Sequence, residues 1–173
     1  VDELKITFKK PEMAALVQDS ITKEAVGFEI LEQGQNYCVI KYVSGGVIEE
    51  FDSLLRRIFL LLVNMTEDTV SVFKMGNYAH LKNVALLEEA NNRFTIICRR
   101  ALNKKNSAFS FNKLGPVYYI VEELEHIADQ YKYVCHHFAN LNSTNIRLNK
   151  DVIGLFESSS KLIRFYYELF YMF

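Results

Sequence analysis

Two acidic residues one helical turn apart, Glu125 and Asp129, have the spacing in this chain best suited to chemistry. Carboxylates at positions i and i+4 of a helix point to the same side, so together they could chelate a hard or borderline cation with groups from a neighbouring helix. Charged residues at this spacing also commonly do no more than solvate a helix face, so both interpretations stay open.

The chain lacks the residues that a di-iron site or a histidine-based metal site requires. A di-iron carboxylate site in a four-helix bundle needs Glu-x-x-His on two helices. The chain has one such element, Glu123 with His126. His126 and His137 are eleven residues apart, about 16 Å along a helix, so they cannot share one ion within it. We therefore expect the histidines to lie on the surface.

Adjacent guanidinium groups at Arg56 and Arg57 precede a short apolar run. They could bind phosphate or an acidic partner, because a guanidinium group matches such groups with two parallel hydrogen bonds. They could also pair with glutamates of the same chain. They are the candidate partner-binding residues.

The remaining composition narrows the functional class. The chain has no Gly-x-x-x-x-Gly-Lys loop, no Gly-x-Gly-x-x-Gly turn and no recognisable catalytic triad, so we predict no catalytic residue and no enzyme. A net charge of -1 over 173 residues argues against direct nucleic-acid binding, and no apolar run approaches the roughly 20 residues that span a membrane. Three widely spaced cysteines, Cys38, Cys98 and Cys135, predict buried free thiols in a reducing cytoplasm.

The first part of the chain predicts a small α/β unit over 1–46. Alternating apolar residues predict a strand over 3–8, and Pro11 then suits the start of a helix that runs to about Glu24 and ends at Gly27. Two further strands, 28–32 and 37–43, flank a turn at 33–36 whose Gly and Asn tolerate positive φ. Ser44, Gly45 and Gly46 form the predicted linker.

Residues 47–173 predict an antiparallel bundle of three to four helices, each about 25 residues long. The first helix ends at Gly76, and Gly115 with Pro116 opens the third. Apolar residues recur at intervals of three and four and predict the buried seam of each helix. The seams are Phe51, Leu55, Ile58, Leu62, Met65, Thr69 and Val72; Val84, Leu87, Phe94, Cys98 and Ala101; Val117, Val121, Leu124, Ala128, Tyr131, Cys135 and Phe138; and Val152, Leu155, Ser159, Leu162, Tyr166, Leu169 and Phe173, widened by Phe156, Ile163 and Phe170. The predicted fold class is α+β, mostly α, with the acidic pair facing outward from the third helix.

Three segments of this bundle, 51–62, 87–94 and 124–129, resemble in order the three-helix repeat of the PhoU family in its archaeal form. Members of this family of phosphate-uptake regulators often carry Leu-Glu-Arg-Ile-Gly-Asp where this chain has Leu-Glu-His-Ile-Ala-Asp. The fourth helix resembles the first helix of a second repeat. The α/β unit resembles the segment that joins an AbrB-like DNA-binding region to the PhoU part in archaeal relatives, so the resemblance implies a piece of a longer transcriptional regulator.

The resemblance implies a cytoplasmic regulator of phosphate uptake or phosphate signalling. Such a protein contacts transporter or signalling proteins and does not catalyse a reaction. Some family members bind iron or zinc through Glu/Asp-x-x-x-Asp motifs, which Glu125 and Asp129 match. The resemblance adds Glu88 as a third candidate metal ligand, although Asn92 stands four residues later in place of a carboxylate. Two alternatives stay open: a metal-binding helical bundle, and a plain dimerisation module. A homo-oligomer is expected in either case.

Overall fold

A computed structural model describes residues 3–10, 12–25, 27–42, 51–103, 111–141 and 147–172. The chain divides into two compact units, Val1–Glu50 and Phe51–Phe173. The fold is α+β and mostly α, as predicted. The predicted linker and the boundary at Gly46 fall in 43–50, and Pro11 and Phe173 also lie outside the described residues.

The first unit is a three-stranded antiparallel sheet covered on one face by a helix. Its elements are β1 (Glu3–Thr7), α1 (Met13–Glu24), β2 (Phe28–Gln33) and β3 (Tyr37–Tyr42), with strand order β1-β3-β2. β3 is central, and a bulge between Ile30 and Glu32 interrupts its pairing with β2. The buried core of the unit consists of Phe8, Ile21, Cys38 and Ile40. Alternation therefore predicted the covered face in part: Phe8 is buried and Ile6 packs against the core, but Leu4 is 47% exposed.

The hairpin between β2 and β3 lies where predicted, but for a different reason. Positive φ among the described residues occurs at Gly27 and Gly76 and not at Gly34 or Asn36. The backbone N–H of Gly34 donates to the carbonyl of Tyr37 at 2.8 Å and closes the turn. A Cβ at Gly34 would lie 2.3 Å from Cε1 of Tyr37. Glycine at this position thus makes room for a tyrosine ring, which a reading of turn propensity alone could not show.

The second unit is a helical bundle built around one long helix. Its elements are α2 (Phe51–Met75), a 3-10 turn (Tyr78–His80), α3 (Leu81–Ala85), α4 (Leu87–Asn103), α5 (Phe111–Ala139) and α6 (Lys150–Met172). The central helix, α2, packs against α3, α4, α5 and α6, and α4 packs against α5. All seven residues of the predicted α2 seam are buried. Because so many helices surround it, α2 is apolar on more than one side, with 13 buried residues out of 25.

Two predicted helix boundaries are wrong. The second predicted helix is interrupted, since the 3-10 turn and α3 precede a 17-residue α4, shorter than the predicted 25. The third helix begins at Phe111 and not at Gly115, so Pro116 lies inside α5. A proline at the sixth helical position removes the hydrogen bond to the carbonyl four residues earlier and crowds that carbonyl, so the turn of α5 before Pro116 is held less strongly than the rest of the helix.

The predicted buried stripe of the fourth helix is correct only in part. Phe156, Ile163 and Phe170, which the prediction added beside the seam, do pack on the bundle. Leu155, Leu162 and Leu169, placed on the seam by the heptad pattern, are exposed. The face of α6 that packs on α2 is instead centred on Ser160 and Ile163, which are buried. Apolar residues cover more than half the circumference of α6, so spacing alone could not tell which side faces the bundle.

In the described part of the chain, no helix is long and apolar enough to cross a membrane.

Candidate functional site

The candidate site lies along the line of contact between α4 and α5. The two helices are antiparallel, because Glu88 near the start of α4 meets Lys132 late in α5. Leu124 and Ala128 are fully buried in the bundle and fix the rotation of α5 about its axis. Glu125 and Asp129 each follow one of these buried residues, so they fall at the rim of the core beside α4. They are half-buried there, with side chains 23% and 31% exposed.

One ammonium group joins two of the three candidate metal ligands. The Lys132 Nζ lies 3.2 Å from Oε1 of Glu88 and also donates a hydrogen bond to Oδ1 of Asp129. The Glu88 side chain is 8% exposed and the Lys132 side chain 23% exposed. The structure therefore does bring Glu88 and Asp129 together, but around a lysine.

A second cation engages the third candidate ligand. The Arg99 Nη1 donates to Oε1 of Glu122 at 2.8 Å and lies 3.5 Å from Oε2 of Glu125. Arg99 is on α4 and both carboxylates are on α5, so this pair of contacts ties the two helices together three turns from Lys132. Four carboxylates thus share two cations, which leaves the cluster with a net charge of -2.

The shifted pKa values follow from this arrangement. Burial raises the pKa of the Glu125 carboxyl above its usual range; Arg99 opposes this, and repulsion from Asp129, Glu122 and Glu88 adds to it. Burial lowers the pKa of Lys132, but its hydrogen bonds to two carboxylates outweigh that effect and the pKa is raised overall. The acidic charges therefore hold the lysine in its protonated form while they destabilise one another.

Glu88 and Asn91 extend the site into the bundle interior. Glu88 is buried near the start of α4. Asn91, one turn later, is 1% exposed, and neither amide atom has a hydrogen-bond partner in the described part of the chain. Next to it, Asn92 is half-buried at the position where the family motif would have a carboxylate. This part of α4 presents amides and one carboxylate to the core.

An open pocket of about 370 Å³ adjoins the carboxylates on the outer side of α5. Its lining is mostly acidic or polar and comes from this one helix: Glu122, Glu123, Glu125, His126, Asp129, Gln130 and Tyr133. A surface of this kind, formed on one helix and open to solvent, suits contact with another protein better than enclosure of a small molecule.

The arrangement does not fit a multinuclear metal cluster. Within the described ranges, no group of three or more His, Cys, Asp or Glu side chains is placed to hold a metal ion. Lys132 lies between Glu88 and Asp129, where a cation bound by both would have to be, and Arg99 engages Glu125. Any metal would have to displace an ammonium or guanidinium group that belongs to the chain. These residues fit an ion-pair network closed by its own cations.

The two candidate partner-binding arginines lie away from this cluster, on α2. Among the described residues, Arg56 pairs with no glutamate. Its Nε donates to the Tyr167 hydroxyl at 2.9 Å, and its guanidinium group lies over the rings of Tyr167 and Tyr171. Arg57 is exposed. Arg56 therefore connects the end of α6 to α2 through a hydrogen bond and cation–π attraction.

The histidines and cysteines lie as expected. His126, His136 and His137 are exposed on α5. The three cysteines are buried and free, which confirms the prediction of buried thiols. Burial raises the pKa of Cys98 to about 12, which disfavours the thiolate form at neutral pH.

Sequence reasoning missed Lys132 and Arg99 as members of the site. A signal was present, because the order of charges is complementary on two antiparallel helices. On α4 an acid, Glu88, precedes a base, Arg99, by three turns; on α5 an acid, Glu122, precedes a base, Lys132, by nearly the same distance. Antiparallel packing places each acid opposite the other helix's base.

The chain matches no protein-family model, no curated protein and no solved structure.

Proposed function

We propose that this chain is a PhoU-like regulator of phosphate uptake that acts by contact with a protein partner. One observation carries the proposal. The segments that resemble the PhoU repeat lie on α2, α4 and α5, three helices that pack against one another as one bundle. The acidic motif of the third segment borders an open, acidic face of that bundle.

The charge of this face suggests what kind of surface it contacts. Glu122, Glu125, Asp129 and Glu88 exceed their two cations by two negative charges, and Glu123 adds another on the open side. Cytoplasmic loops of membrane proteins carry an excess of Lys and Arg. An acidic bundle face therefore complements the cytoplasmic side of a transporter, and charge complementarity of this kind governs partner choice and association rate.

The metal-binding alternative has less support. It requires Glu88, Glu125 and Asp129 to release Lys132 and Arg99, and to do so without the carboxylate that Asn92 replaces. A neutral amide lacks the charge that holds a multivalent cation. Binding of a protein partner does not require any ion pair to break. Glu123 and His126 line the open outer side of α5, so a partner can reach them while Lys132 and Arg99 keep their carboxylates.

Phosphate uptake in cells tests the proposal. In a strain that lacks the gene, uptake under phosphate-replete conditions should no longer be restrained, and a wild-type copy should restore the restraint. Glu123→Lys, which reverses one charge on the outer face, should fail to restore it at normal protein levels. Asp68→Lys is the matched control, since Asp68 is an exposed acid of α2 outside the pocket. Unchanged uptake in the deletion strain would overturn the proposal.

A further inference from the structure

Asn91 is the exception among the buried polar residues that the structure describes in the bundle. The others are Thr66, Thr69, Glu88, Thr95 and Ser160, and each has a hydrogen-bond or ion-pair partner. Asn91 is 1% exposed, and in the described part of the chain neither atom of its amide has a hydrogen-bond partner. Burying an amide without a partner costs free energy, so such groups in folded proteins bind protein atoms or ordered water.

The position of Asn91 on α4 places its side chain beside the ion-pair cluster. Glu88 is three residues earlier and is also buried, so the two side chains lie on the same side of the helix. The helices α4 and α5 are antiparallel, and Glu88 meets Lys132. One turn further along α4, Asn91 is therefore level with the turn of α5 just before Lys132, which contains Asp129.

The two carboxylates at this level can accept more hydrogen bonds than Lys132 donates to them. The Lys132 Nζ lies 3.2 Å from Oε1 of Glu88 and donates to Oδ1 of Asp129, so it engages one oxygen of each group. An ionised carboxylate accepts through both oxygens, with about four lone-pair sites. The second oxygen of Glu88 and that of Asp129 can therefore accept from a further donor between the two helices.

Water is the ligand that suits both the amide and the carboxylates. It accepts a hydrogen bond from the Nδ2–H of Asn91 while it donates to a carboxylate oxygen, so it can satisfy a donor and an acceptor together. An anion would be repelled, because the cluster has a net charge of -2. A metal ion could not use the amide N–H, and within the described ranges no three acidic, His or Cys side chains are placed to hold one.

We infer that Asn91 binds an internal water molecule, which bridges its amide to the carboxylates of Glu88 and Asp129. A buried water molecule typically makes about three hydrogen bonds and needs a space of only about 10 to 15 Å³. This water extends the ion-pair cluster into the core and solvates carboxylates that outnumber their cations. The inference does not depend on the proposed function.

A crystal structure of the full chain, at a resolution that shows ordered water, tests the site. Density for a water molecule should lie about 2.7 to 3.2 Å from an amide atom of Asn91 and from a carboxylate oxygen of Glu88 or Asp129. Asn91→Leu, which removes both polar atoms, should lose this water. Asn92→Leu is the matched control, because Asn92 is the half-buried neighbour, and it should keep the water. The inference is overturned if the Asn91 amide bonds directly to protein atoms, if no density lies beside it, or if the density lies at the roughly 2.0 to 2.6 Å of a metal ion.

Nuclear magnetic resonance tests the same water in solution and needs no variant. In isotope-labelled protein, the side-chain N–H protons of Asn91 should show a negative nuclear Overhauser effect to water, because the bound molecule tumbles with the protein. Asn83 is the control, since its side chain is exposed on α3 and meets water in rapid exchange with solvent. An Asn91 amide with no stronger effect than that of Asn83 would overturn the inference, even if Asn91→Leu did not fold.

Discussion

Replacing Lys132 with methionine removes the cation that Glu88 and Asp129 share while keeping an unbranched chain of similar length. The Glu88 side chain, 8% exposed, would then be a carboxylate with no cation at its 3.2 Å contact. At that distance, and at an effective dielectric constant of about 20, the attraction lost is about 5 kcal/mol before the cost of desolvation is subtracted. Breaking a fully buried ion pair by removing one partner costs about 3 to 5 kcal/mol.

Lys132 retains some exposure, 23%, so we expect Lys132→Met to lower the free energy of unfolding by about 2 to 4 kcal/mol, a little under the range for fully buried pairs. The assay is urea denaturation followed by circular dichroism at neutral pH. Lys74→Met is the matched control, because it breaks an exposed ion pair between Lys74 and Glu157. The Lys74 side chain is 56% exposed and the Glu157 side chain 34% exposed. Exposed ion pairs contribute about 0 to 1 kcal/mol to the free energy of unfolding.

The double variant Glu88→Gln/Lys132→Met tests the cause. If the loss comes from an unpaired buried charge, neutralising Glu88 should recover part of it, so the double variant should be more stable than Lys132→Met alone. The reasoning is refuted if Lys132→Met costs no more than Lys74→Met, or if the double variant is less stable than the single one.

Three further predictions concern the same unit. Leu124→Ala should cost about 2 to 5 kcal/mol in urea denaturation, because Leu124 is fully buried; a loss under about 1 kcal/mol would contradict its place in the seam. Glu125→Gln should stabilise the protein at pH 7 by about 0 to 1 kcal/mol. The pKa of Glu125 is higher in the folded protein than in the unfolded chain. Its stabilising contribution is therefore complete at a pH below the unfolded pKa and is lost as the pH rises through the folded pKa. The stability gained by Glu125→Gln at pH 7 should accordingly disappear in acid. A Tm for Glu125→Gln below that of the wild type at pH 7 would contradict this sign. Arg56→Ala should lower the Tm, because it removes the cation over Tyr167 and Tyr171, and Arg56→Lys should restore little, since lysine lacks the planar group.

Periodicity predicted most of the fold, including α2, whose apolar sides are covered by several neighbouring helices. The α2 seam is correct along its whole length, and α1, β2 and β3 lie within a residue or so of their predicted bounds. On α6 apolar residues cover more than one side, but only one side packs on α2. The prediction therefore named Leu155, Leu162 and Leu169, which are exposed, as well as Ile163, which is buried. Leu162 and Ile163 are adjacent in sequence, yet Leu162 is exposed and Ile163 is buried. The difference depends on which side of α6 meets Thr66 and Phe59 of α2, and spacing within α6 does not show that.

The site was predicted in part. Spacing identified Glu125 and Asp129, and the resemblance added Glu88, but neither showed that Glu88 is buried. Burial of a carboxylate depends on what the facing helix supplies, and here the facing helix supplies Lys132. Predicting this pair requires knowing which residue of α5 lies opposite Glu88 on α4, and the spacing of residues within one helix does not give that information.

Metal content tests most directly whether this acidic site is a contact surface closed by its own cations. The full chain would be purified without chelator from cells supplied with iron and zinc, and its metals would be measured per chain. The account predicts far less than one equivalent of either metal, unchanged in Asp129→Ala. One or more equivalents of iron or zinc, lost in Asp129→Ala, would show that the carboxylates release Lys132 and Arg99 to bind metal, and would contradict the account.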